Sequence, residues 1–129
     1  MILDTTVLIS AERARKPLDA VIADDDDVAI AAITVAELLV GVKLATARHR
    51  ARRAAFVEAA LETITVEDYT AETARSHAEL LSATRREGRP RGAHDLIIAA
   101  TAIGTGRILV TADDRGFDGL PGLEARVVR

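Results

Sequence analysis

The chain has 129 residues, 49% of them hydrophobic and 29% charged, which is enough apolar material for one packed domain and too much for intrinsic disorder. No apolar run reaches the roughly 18 residues of a membrane span, the opening MILDTTVLIS lacks the basic start and cleavage site of a secretory leader, and a net charge of −3 excludes a polycation built to coat nucleic acid. Cysteine is absent, which removes disulfides, thiolate zinc sites and cysteine nucleophiles and makes the cytoplasm the expected compartment.

Taken in chain order, residues 2–4 predict a short buried strand. Residues 5–15 and 17–24 predict helix, with Pro17 suited to a first turn. Residues 28–32 (VAIAA) predict a strand, and 34–46 an apolar helix that continues through 47–61 as an amphipathic one. Residues 63–66 (TITV) predict a strand. Residues 70–87 predict a long helix ended by Gly88. Residues 93–104 (AHDLIIAATAIG) predict a helix apolar on nearly every side, and therefore buried. Strands are expected at 108–111 and 125–128. Five short apolar strands alternating with helices indicate an α/β domain spanning 1–129, three layers deep, with a central, mostly parallel sheet.

In such folds ligands bind beyond the carboxyl ends of the strands. Four acids map there. Asp4 closes the first strand, Asp113 follows the 108–111 strand, Glu37 lies one turn into the helix after 28–32, and Asp95 sits in the first turn of the apolar helix. Each has an ordinary structural explanation. Asp4 is placed as a helix N-cap, Thr34 to Glu37 match a capping box, Asp95 suits a helix dipole and Asp113 suits an Asx turn. Against those explanations, Glu37 and Asp95 are embedded in apolar sequence and need partners. Carboxylates converging at about 4 Å, with an effective dielectric of about 20, repel by about 4 kcal/mol per pair. A real cluster therefore implies a divalent cation, and oxygen-only ligands suit Mg²⁺ or Mn²⁺. Such ions serve phosphoryl-transfer or phosphodiester chemistry. The residues alone do not specify the substrate.

MILDTTVLI at the start, ITVAELLVGV at 33–42, HDLIIAATAI at 94–103 and ILVTADDRGF at 108–117 together resemble the PIN-domain nucleases, most closely the VapC toxins of type II toxin–antitoxin pairs. The resemblance implies a metal-dependent endoribonuclease on a PIN-like α/β/α fold. It places the family's acids on Asp4, Glu37, Asp95 and Asp113, as both catalytic groups and Mg²⁺ or Mn²⁺ ligands. It assigns auxiliary hydroxyls to Thr6 and Thr111. A further acid that the family often carries falls on Gly116, where it is missing, with neighbouring Asp114 as the substitute to consider. It also implies RNA as substrate, a VapB-type antitoxin as partner and a homodimer built on apolar helices such as 34–46 and 54–61.

All but two of the 17 basic residues are arginine, through either phosphate binding or GC-rich coding. Arg85, Arg86, Arg89 and Arg91 flank the Gly88 turn just before Asp95 and are candidate RNA contacts. Arg48, His49, Arg50, Arg52 and Arg53 read as either an RNA contact or a solvated face, and Asp24 to Asp27 as a solvated loop. His77 and His94 read as structural. With only three aromatics and no Trp, a base-stacking platform is not expected.

A phospho-receiver domain would need a lysine late in the chain; Asp68 could be its acceptor, but no lysine follows Lys43. A haloacid-dehalogenase-type phosphatase needs Asp-x-Asp where this chain has Asp4-Thr5-Thr6. A PIN-like module that binds RNA or an antitoxin without cutting is the remaining alternative.

Overall fold

A computed structural model describes residues 1–22 and 27–128. Strands β1 (Ile2–Leu3), β2 (Ala29–Ala31), β3 (Thr65–Glu67), β4 (Leu109–Thr111) and β5 (Ala125–Val127) form one sheet. Its order is β3-β2-β1-β4-β5, and every pairing is parallel, with Ile2 opposite Ala29 on one side and Leu109 on the other. The helices are α1 (Thr5–Arg13), α2 (Ala32–Leu44), α3 (Ala47–Thr63), α4 (Ala71–Glu87) and α5 (Ala93–Gly104), with 3₁₀ turns at Leu18–Ala20 and Asp114–Gly116.

Alternation along the strands produces the three layers. Ile2, Ala29 and Leu109 point to one face and join Leu80 of α4 and Leu96, Ile98, Ala99 and Ala102 of α5. Leu3, Ile30 and Val110 point to the other and join Val7 and Leu8 of α1, Leu38 of α2 and Val57 and Ala60 of α3. The buried expectation for α5 holds, since Leu96 and the run Ile98 to Ala102 are all inaccessible. Among the described residues no helix is long and apolar enough to cross a membrane.

Two expectations change. Residues 34–46 and 47–61 do not form one continuous helix. Ala45 and Thr46 are both extended (ψ 148° and 156°), and Ala45 is buried, so the chain turns there and α3 folds back to place Val57 and Ala60 in the core beside Leu38. The 17–24 helix shrinks to one 3₁₀ turn, with residues 23 and 24 outside the described part. Of the acidic run, Asp24 to Asp26 also lie outside it. Asp27 is exposed as expected, but it pairs with Arg107 at 2.9 Å, and Arg107 also reaches Glu67 at 3.0 Å.

The chain builds β2 and β3 on one side of β1, then crosses to β4 and β5 on the other. The reversal falls between β1 and β4, where a parallel α/β sheet leaves a crevice at its carboxyl edge. Asp4 and Thr111 stand at that point.

Candidate active site

Asp4 follows β1 directly and its N–H donates to the Val110 carbonyl (2.8 Å). It occupies the N-cap position of α1, as expected, but makes no side-chain cap. Its buried carboxylate instead accepts, at Oδ2, the hydroxyls of Thr6 (2.7 Å) and Thr111 (2.8 Å). Both hydroxyls are fixed from behind. Thr6 accepts the Ala112 N–H (3.1 Å) and Thr111 accepts the Asp113 N–H (3.0 Å). The Thr6 proton goes to Asp4, and the Thr111 hydroxyl, also 2.9 Å from the Asp113 carbonyl, has the Asp4 carboxylate as the stronger of its two acceptors. Three elements, β1, α1 and the end of β4, thus hold one carboxylate.

Glu37 is in the second turn of α2. The expected capping box does not form, because α2 starts at Ala32 directly after β2, and its N-cap is Ala31, not Thr34. Thr34 is instead fully buried, with Oγ1 3.1 Å from Thr5 Oγ1, and Thr5 donates to Glu37 Oε1 at 3.0 Å. Glu37 Oε2 lies 3.7 Å from His94 Nδ1. Thr5 was not among the expected site residues. Its only sequence signal is a second hydroxyl in the Asp-Thr-Thr opening.

Asp95 lies in the first turn of α5, as expected, and is half-buried. Among the described residues its side chain has no hydrogen bond. Burial, and then the negative charges of Asp4, Glu37 and Asp113, push its carboxyl above the ordinary aspartate range, with His94 opposing. The charges of the other three predicted acids thus all bear on Asp95. Gly116 and Gly92 press against Asp95. A Cβ on Gly116 would sit 2.5 Å from Asp95 Oδ2, and one on Gly92 would sit 3.1 Å away. The chain therefore has no side chain where the auxiliary acid was sought, and little room for one.

Asp113 is exposed and serves as the Asx turn that was weighed, accepting the Arg115 N–H at 3.1 Å. Its charge still helps raise the Asp95 carboxyl. The Asp114 side chain lies outside the described set. The arginines divide. Arg91 donates to the carbonyls of Arg115 and Asp118, tying down the loop that carries Gly116, and Arg89 reaches the same loop near Gly119. Arg86 turns back along α4 to the Ser82 carbonyl, and Arg85 is exposed on the last turn. Of the basic run in α3, Arg52 is exposed and Arg53 partly so, and both turn toward α1. They lie 3.6 Å from either oxygen of the buried Glu12.

Among the described residues, no three carboxylates or histidines gather tightly enough to hold one ion between them. The donor set still suits a hard cation. It is oxygen-only, and among the described residues its half-buried Asp95 has His94 as the one opposing charge. Mg²⁺ keeps several waters and commonly takes only one or two carboxylates directly.

The PIN domain family model matches residues 1–123. The chain is similar to Ribonuclease VapC5 of Mycobacterium tuberculosis, at 38% identity over 95% of this chain and 91% of that protein. Among solved structures it is similar to the DNA-bound VapBC complex of Salmonella typhimurium (TM-score 0.86, 27% identity, 98% and 96% of the two chains). It is also similar to the VapBC-5 toxin–antitoxin complex of Mycobacterium tuberculosis (TM-score 0.79, 33% identity, 98% and 97%). With the fold, the ordered acids and these likenesses in agreement, the chain belongs to the PIN-domain family, within its VapC ribonucleases.

Proposed function

We propose that this chain, acting as one domain, is a Mg²⁺- or Mn²⁺-dependent endoribonuclease of the cytoplasm and the toxin of a toxin–antitoxin pair. The observation that carries this is Asp95, whose carboxyl is raised by burial and by three other carboxylates reached from β1, α2 and the β4 loop. A structural acid has no need of such neighbours, and neither does a module that only binds.

Asp4, Asp95 and Asp113 would hold the cation directly or through water, and Glu37 would hold a second one or orient the attacking water. When bound, the ion supplies the positive charge that keeps these acids ionised, activates water and stabilises charge on the phosphoryl group. Thr6 and Thr111 fix Asp4, so its free oxygen is presented without reorganisation. In-line attack on an RNA phosphodiester leaves a 5′-phosphate and a 3′-hydroxyl. Arg91, tied to the loop that carries Gly116, and Arg89, near Gly119, add positive potential for the RNA backbone; Arg85 and Arg86 lie further along α4. Cleavage of total cellular RNA should require added Mg²⁺ or Mn²⁺, stop with chelator, and fall on the order of 1,000-fold in Asp4→Asn. Activity that survives chelation, or that survives Asp4→Asn combined with Asp95→Asn, overturns the assignment.

The partner in this proposal is a VapB-type antitoxin, supported by the toxin–antitoxin complexes among the similar structures. An arginine from such a partner could supply the charge the acids lack. A homodimer is supported by Leu39, Val40 and Leu44, exposed together on one side of α2, where an unpartnered apolar stripe is costly in water. Leu44→Glu should convert the dimer to monomer in light scattering, and an unchanged mass excludes this face.

A further inference from the structure

We infer that Thr5, backed by Thr34, is the positioning residue for Glu37. The inference rests on the nuclease assignment above and goes beyond it, because it identifies what sets the Glu37 carboxylate against the other three.

Thr5 Oγ1 lies 3.0 Å from Glu37 Oε1 and 3.1 Å from Thr34 Oγ1, and it is placed as the donor toward both. It has one proton, and of the two acceptors the carboxylate is the stronger, so the proton goes to Glu37 while Thr34 holds the Thr5 hydroxyl from behind. Both threonines are buried, Thr34 completely, so water does not compete for either hydroxyl. Hydrogen bonds to a charged acceptor in such surroundings are the stronger kind. The pair joins the first turn of α1 to the first turns of α2. Thr5 and Thr6 are consecutive, and they act in opposite directions. Thr6 turns to Asp4 and the end of β4, while Thr5 turns to α2. One turn of α1 thus fixes two of the four acids, each by a neutral hydroxyl. A neutral donor orients a carboxylate without cancelling the charge that a cation needs. The other contact to Glu37, His94 at 3.7 Å, is more exposed and lies beyond hydrogen-bond range.

The test compares Thr5→Val, which keeps the shape and removes the hydroxyl, with Thr5→Ser, which restores it, each alone and combined with Glu37→Ala. The initial rate on total cellular RNA with Mn²⁺ should fall about 10- to 100-fold in Thr5→Val, the usual range for a group that orients a ligand, and stay within about threefold in Thr5→Ser. Added to Glu37→Ala, Thr5→Val should cost less than about threefold more, since it acts through a side chain already removed. A crystal structure of metal-free Thr5→Val should show the Glu37 carboxylate displaced. Wild-type rates in Thr5→Val, an equal loss with and without Glu37, or an unmoved Glu37 carboxylate each overturn the role. If Thr5→Val does not stay folded at the assay temperature, Thr5→Ala, which removes the same hydroxyl without adding bulk, carries the same comparison. It should lower the rate by a similar factor, and a wild-type rate overturns the inference. Cleavage that persists in Asp4→Asn instead overturns the nuclease assignment, so the two failures are distinct.

Discussion

Replacing Gly116 with aspartate should cut RNA cleavage by about 100-fold, although it supplies the acid that the PIN resemblance leads one to look for at that position. The reason is steric. Any Cβ there falls 2.5 Å from Asp95 Oδ2 and 3.0 Å from its Cγ, well inside van der Waals contact, and what gives way most easily is the Asp95 side chain itself. Rotating one short carboxylate is cheap for the fold, so stability should stay within about 0.5 kcal/mol of wild type. It is expensive for the chemistry, because a displacement of about 1 Å at a reacting centre costs on the order of 100-fold. Gly116→Ala separates the two effects. It adds the same Cβ with no charge, and it should lose nearly as much activity. If the alanine variant cleaves normally while the aspartate variant does not, added charge and not displacement is responsible. If the aspartate variant cleaves faster than wild type, the site has room for a fifth acid and the steric account fails. Thermal unfolding beside the cleavage assay reads both quantities.

The parts that were legible in the sequence are those written by periodicity. Strands at 2–4, 28–32, 63–66, 108–111 and 125–128 each appear within two residues at either end, because buried strands need short apolar runs and little else. The acids were legible because a strand end is a position, and position follows from order along the chain. What was not legible depends on which atoms meet across elements. Thr34 and Glu37 have the spacing of a capping box, but β2 passes into α2 without a loop, so the helix starts too early for Thr34 to cap it and its hydroxyl is free to meet Thr5. Arg91 was expected to face phosphate. Its guanidinium is occupied by two carbonyls of the loop after β4, which no local pattern could reveal. Arg52 and Arg53 read as an RNA contact or a solvated face; they remain partly open to solvent, and what the sequence did not show is that each lies 3.6 Å from an oxygen of the buried Glu12 of α1. Gly116 read as a missing ligand, whereas in the fold its backbone forms the wall against which Asp95 rests.

Asp95→Asn should abolish cleavage, by about 1,000-fold, and at the same time raise the Tm of the cation-free protein at neutral pH. The folded carboxyl is pushed up by burial and by Asp4, Glu37 and Asp113, so the folded state holds this proton more tightly than the unfolded chain. Stability from that proton is fully present below the unfolded value, about 3.9 for aspartate, and is lost as pH rises through the folded value. Above that window Asp95 is ionised among like charges, and the neutral, nearly isosteric amide removes the repulsion. Asp95 is only partly buried, so solvent screens the effect and the gain should be modest, up to about 4 °C. The advantage should disappear at acid pH, where wild-type Asp95 is itself neutral. A divalent cation should reverse the ranking. Binding only the folded state at about 100 times its dissociation constant stabilises by about 2.7 kcal/mol, a gain open to wild type and largely denied to the amide. Thermal melts of both proteins in chelator and in Mn²⁺, at acid and neutral pH, check each part. A cation-free Asp95→Asn protein that melts below wild type at neutral pH would show that the four acids do not oppose one another, and the case for a cation-dependent site would go with them.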